Sequence, residues 1–102
     1  MIEKYVLKYR KNSEPILVLK YTGDNYDEVL EFIGSTWGKI EYAPKEWFVG
    51  FQENVLEFKD ETGGMYCYAG DYIIDKGDDE NYPHRFYPSR KHLFEPCYEL
   101  IT

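Results

Sequence analysis

The chain reads as an α+β domain: an antiparallel sheet of short strands, one main helix packed on it, and a short C-terminal helical turn before a last strand. Three observations lead there. Short alternating or apolar runs recur, bounded by Gly, Pro, Asn and Asp. One stretch, residues 24–33, carries strong helical spacing and is closed by Gly34. The 102 residues leave room for one core, and aromatic residues at 19% supply large side chains to fill it.

In order, Lys4 to Tyr9 alternates with Tyr5, Leu7 and Tyr9 on one face, as a half-buried strand does. A polar loop ending in Pro15 leads to Ile16–Tyr21, apolar on both faces and so expected to be a central strand. The two form an opening hairpin. In the helix, Asp24 or Asn25 serves as N-cap, and Asp27 or Glu28 completes a capping-box-like arrangement. Tyr26, Val29, Leu30 and Ile33 share the face expected to pack on the sheet.

From Ser35 to Tyr68 the pattern is one of strands: Lys39–Tyr42, then Glu46–Phe51, then Val55–Lys59 turning through Gly63-Gly64 into Met65–Tyr68. Ala69-Gly70-Asp71 is a turn, with Asp71 placed to bond neighbouring amides. Tyr72–Ile74 is a strand, Asp75–Asn81 an acidic loop, and Arg85–Tyr87 extended because Pro88 follows. Ser89 is expected to cap a helical turn through Leu93 that stops before Pro96, and Cys97–Ile101 to pair with an earlier strand. No repeat or linker divides residues 1–102, so one domain is expected.

The net charge of −7 works against phosphate backbones and anionic membranes. Direct nucleic-acid or membrane binding is therefore not expected, and a protein with a basic surface is the natural partner; homo-oligomers stay open. The longest apolar run, Ile16–Leu19, is far too short to span a bilayer, and no basic-then-apolar leader opens the chain. The expected location is cytoplasmic. Cys67 and Cys97 lie far apart, without Cys-x-x-Cys spacing, and are expected to be reduced and partly buried.

The two ends of the chain carry a set of short motifs: Pro15-Ile16-Leu17-Val18, Tyr21-Thr22-Gly23 and Glu31-Phe32-Ile33-Gly34, then Gly70-Asp71-Tyr72-Ile73-Ile74, Phe86-Tyr87-Pro88 and Leu93-Phe94-Glu95-Pro96-Cys97-Tyr98-Glu99. In this order they resemble a family of short phage- and prophage-encoded proteins of unassigned function, over a little more than half the chain. Here Ser89 stands where that family has Cys, and Cys97 where it has Thr. The acidic loop is longer, and the middle is a larger strand-rich insert. The resemblance implies a phage or integrated-element origin, with host cytoplasm as the location, and brings no catalytic residues with it.

No constellation for chemistry stands out. Asp75, Asp78, Asp79 and Glu80 lack the register of a Ca²⁺ loop and read as a solvated turn. His84 and His92 have no Zn partner spacing, and no nucleophile elbow or phosphate loop is present. The reading is a protein without enzymatic activity and without a cofactor. The surplus of Tyr and Trp points to contact, because such side chains are large, stiff and amphipathic. The candidate protein-binding surface is Trp47, Tyr66, Tyr68, Asp78, Asp79, Glu80 and Tyr82. Its carboxylates could imitate nucleic acid toward a basic groove. The leading expectation is thus a phage-type accessory protein that binds, and in the stronger form inhibits, a host defence or nucleic-acid-handling enzyme. The alternative is a small-molecule or nucleotide sponge with a pocket at Arg85, Tyr87, Arg90 and His92. A virion or assembly component is a third reading.

Overall fold

The computed structural model describes residues 1–10, 14–34, 39–60, 63–77 and 85–101. Among these residues, two antiparallel sheets and two α-helices make up an α+β fold. Strands β1 (Ile2–Leu7), β2 (Ile16–Lys20), β6 (Tyr72–Asp75), β7 (Phe86–Ser89) and β8 (Tyr98–Leu100) form the first sheet in the order β7-β6-β2-β1-β8. Strands β3 (Lys39–Tyr42), β4 (Leu56–Asp60) and β5 (Gly63–Cys67) form the second, ordered β3-β4-β5. Helix α1 (Tyr26–Ile33) joins β2 to the second sheet region, and α2 (Lys91–Phe94) precedes β8.

The five-stranded sheet is covered on both faces, and successive residues of its inner strands serve different cores. Leu19 and Ile73 join Tyr21, Val29, Ile33, Leu56, Phe58, Cys67 and Phe86 in a first core shared with α1 and the second sheet. Their neighbours Val18, Tyr72 and Ile74 face the other way and pack with Phe94 in a second core. There Phe94 stacks on Tyr72 at 4.2 Å and on Tyr98 at 4.6 Å, with Tyr5 edge-on at 5.0 Å. This two-sided burial explains why β2 and β6 are continuous apolar runs rather than alternating ones. It also fixes register: Val18 pairs with Ile74, and Leu19 with Ile73.

Five expectations are corrected. Residues 46–51 form no strand; a 3₁₀ turn at Lys45–Trp47 opens an irregular segment that lasts until β4. Leu30 is not a core residue. It is 39% exposed, while Val29 and Ile33 are buried and Phe32 packs edge-on against Phe86 at 5.0 Å. Asn25 holds the N-cap position of α1 without capping it: its amide donates to Lys20 O and Glu28 Oε1, and its oxygen accepts from Thr22. Ser89 ends β7, and Arg90 takes the N-cap position of α2. Tyr9 lies in a turn, 86% exposed, rather than on the strand face with Tyr5.

Candidate protein-binding surface

The first core claims one face of the second sheet, through Leu56, Phe58 and Cys67. Strand alternation therefore places Glu41, Glu57, Lys59 and Tyr66 on the opposite face, with Tyr68 continuing the Tyr66 row. Glu41 and Glu57 are direct cross-strand neighbours, a repulsive pairing. Lys59 resolves it by reaching Glu41 at 2.7 Å and Glu57 at 3.5 Å. The hydrogen bond from Lys59 holds the Glu41 carboxyl below its ordinary range and raises the Lys59 ammonium in turn.

Over this face runs the segment between β3 and β4. Phe48 lies edge-on to Tyr66 at 5.5 Å and to Tyr68 at 5.4 Å. Ala43 N–H donates to Val55 O at 2.8 Å, closing the base, and Tyr21 O–H donates to Asn54 O at 2.5 Å. Burial raises the Tyr21 hydroxyl well above its ordinary pKa, keeping it a donor. The backbone reverses at Gly50 (φ 78°), Phe51 (φ 51°) and Asn54 (φ 60°). Gly tolerates that region and Asn does so often, but Phe pays a steric cost there. Held this way, the segment turns Trp47, Val49 and Phe51 outward, at 58%, 94% and 63% exposure.

Arg90 bounds the surface on the other side. Its guanidinium lies over the Tyr68 ring at 3.9 Å. Asp71, nearly buried, fixes this corner: Oδ2 accepts from Tyr68 N–H at 3.0 Å and Arg90 Nη1 at 3.3 Å, and Oδ1 from Lys91 N–H at 3.0 Å. The cap that Ser89 does not supply to α2 thus comes from the turn before β6. That turn depends on Gly70 at φ 96°, the third position of a type II geometry, where a Cβ would be strained.

Trp47, Tyr66 and Tyr68 thus lie in or beside one aromatic cluster around Phe48, and Arg90, from the sponge reading, joins them. Asp78, Asp79, Glu80 and Tyr82 lie outside the described residues. The other residues of the expected small-molecule pocket are distributed from the start of β7 to α2. Arg85 precedes β7 and grips Asp75 with two bonds, Nε to Oδ1 at 2.7 Å and Nη2 to Oδ2 at 3.0 Å. Arg90 follows β7, which at strand rise puts the two arginines on the order of 16 Å apart. Tyr87 packs under Lys76 at 4.6 Å, and His92 is exposed on α2.

Phe48, Val49 and Phe51 carry no binding signal in the sequence, because an apolar run signals burial; here Val49 and Phe51 face solvent with Trp47, and Phe48 turns inward. Both thiols are free; burial pushes the Cys67 thiol up, away from the thiolate that nucleophilic chemistry requires. Among the described residues, no three His, Cys, Asp or Glu side chains are grouped to hold a metal ion. No described helix is long and apolar enough to cross a membrane. Comparison with protein-family models, with curated proteins and with solved structures finds no match.

Proposed function

We propose that this protein acts by binding another protein through the aromatic surface around residues 47–51. One observation carries the reading: Trp47, Val49 and Phe51 stand exposed together on a segment tied down at both ends. Large apolar side chains grouped on a surface mark contact sites. Ordering the segment beforehand also lowers the entropy cost of binding. The left-handed Phe51 is a strained residue whose side chain makes the surface rather than the core, which fits a functional constraint. The resemblance to short phage proteins makes a host protein the partner, in the host cytoplasm. The net charge of −7 favours one with a basic surface, such as a defence or nucleic-acid-handling enzyme. Occupying that surface would restrain the partner without any chemistry.

The test is capture from host lysate followed by mass spectrometry, comparing wild type with Trp47→Ala and Phe51→Gly. A stoichiometric partner should be recovered, and each variant should weaken its binding by about tenfold or more, the scale of a truncated aromatic hot spot. Equal capture by all three proteins would refute the assigned surface, and recovery of nothing stoichiometric would refute the function.

A further inference from the structure

Helix α1 buries one side and leaves much of the other exposed among the described residues. Val29 and Ile33 point into the first core, with Tyr26 and Phe32 packed at its margin. Leu30 follows Tyr26 by one helical turn and stays 39% exposed. Tyr42, 48% exposed at the end of β3, lies 5.0 Å from the Tyr26 ring, and Tyr26 O–H anchors this corner by donating to Ile40 O at 2.7 Å. Tyr42, Tyr26 and Leu30 together make an apolar stripe running along the helix. Asp27 and Glu31, both exposed, border it one turn apart, and an open groove at its upper end is lined by Asp24, Asp27 and Glu28.

These charges are unevenly answered. Glu28 receives the N-terminal ammonium at 2.6 Å, which lowers its carboxyl. Asp27 and Glu31 make no ion pair among the described residues, and α1 has no basic residue in its last turn. Like charges spaced i, i+4 repel, and an acid near a helix C-terminus opposes the helix dipole. Asp27 sits in the favourable first turn, so the unrelieved charge is concentrated at Glu31, where an external cation would relieve it.

We infer that the outward side of α1 is a docking surface for a basic amphipathic segment of a protein partner, with an apolar side chain on the Tyr42–Tyr26–Leu30 stripe and Arg or Lys against Asp27 and Glu31. This rests on the reading that the protein works by binding proteins, but uses a surface separate from residues 47–51. Charge complementarity selects the occupant. A second copy would bring the same carboxylates to the contact, and nucleic acid or an anionic lipid surface would be repelled.

The probe is a synthetic 15-residue Leu/Arg amphipathic peptide, with a Leu/Glu counterpart as control, titrated into isotope-labelled protein and followed by amide chemical shifts. The Leu/Arg peptide should move the amides of residues 26–31 and 42, and the Leu/Glu peptide should not. Glu31→Lys, which leaves the first-turn Asp27 in place and puts a cation near the helix C-terminus, should raise Kd severalfold while keeping or raising the melting temperature, which separates lost docking from lost folding. Leu30→Ala should raise Kd severalfold, which attraction between charges alone would not produce. Shifts spread equally over remote carboxylates such as Glu14, Glu53 and Glu99, or a Leu30→Ala variant that binds as wild type, would overturn the inference. So would a sedimentation dimer that Leu30→Ala dissolves, since it would make a second copy the occupant. Trp47→Ala should leave peptide binding unchanged. Failure of the residue 47–51 surface and failure of the α1 surface therefore give different results.

Discussion

Replacing Asp71 with Ala takes three hydrogen bonds out of a single corner. The amides of Tyr68 and Lys91 each lose a carboxylate acceptor at 3.0 Å, and Arg90 loses its ion pair at 3.3 Å. Bonds to a charged acceptor contribute about 1.5–3 kcal/mol each. The Arg90 side chain is 39% exposed, so solvent screening leaves its share small and the two amides carry most of the effect. The expected loss is about 3–4 kcal/mol, a large part of the roughly 5–15 kcal/mol that holds a domain folded. That corresponds to a fall in melting temperature on the order of 15 °C. Urea titration followed by tryptophan fluorescence measures the loss. Amide exchange should show protection failing first at Tyr68 and Lys91. Asp71→Asn keeps one acceptor oxygen and should cost about half as much. A change below about 1 kcal/mol for Asp71→Ala would refute the claim that this carboxylate ties the start of α2 to the end of β5.

Three further outcomes are expected. Val29→Asp buries an unpaired charge at a position with no exposure and should cost several kcal/mol, on the order of 4 or more, whereas Leu30→Asp should stay folded within about 1 kcal/mol of wild type; circular dichroism melts distinguish them. Tyr21→Phe removes the donor to Asn54 O and should cost about 1 kcal/mol, with limited proteolysis accelerating within residues 48–54. The Glu41 carboxyl is depressed by Lys59, so its contribution is complete above its ordinary value of 4.5 and is lost as pH falls through the lower folded value. The stability difference between wild type and Glu41→Gln should accordingly shrink on acidification below 4.5 and be constant toward neutrality; a difference that grows in acid would reverse the assigned sign.

Local signals in the sequence were reliable where one residue's environment depends on near neighbours. The β1–β2 hairpin, the β4–β5 hairpin, the helix and the Gly70-Asp71 turn all follow from alternation, helical spacing and turn residues. Failures came where the environment is set from far away. Leu30 obeys the helical period, but α1 is rotated so that Phe32 reaches Phe86 instead. Residues 46–51 have strand composition, yet they pair with neither sheet, and Phe48 alone turns inward to Tyr66 and Tyr68. The division into two sheets depends on pairing between distant strands, which periodicity does not encode. For the candidate surface, the aromatic residues were legible, but Arg90 on Tyr68 was not, because their meeting depends on Asp71 bridging two separate turns.

The order β7-β6-β2-β1-β8 has a consequence for how the chain is made. Of the strands of the larger sheet, β1 and β2 leave the ribosome before the rest and occupy its interior, and both of their neighbours, β6 and β8, come from Tyr72 onward. At a synthesis rate of roughly 5–20 residues per second, the opening hairpin waits several seconds with both edges bare. The smaller sheet, contiguous from Lys39 to Cys67, can close in that interval. Bare edges recruit strands from other chains. A nascent molecule therefore has its greatest risk of strand exchange between the emergence of Lys20 and that of Tyr98, when β8 can seal β1 by pairing Tyr98 with Leu7.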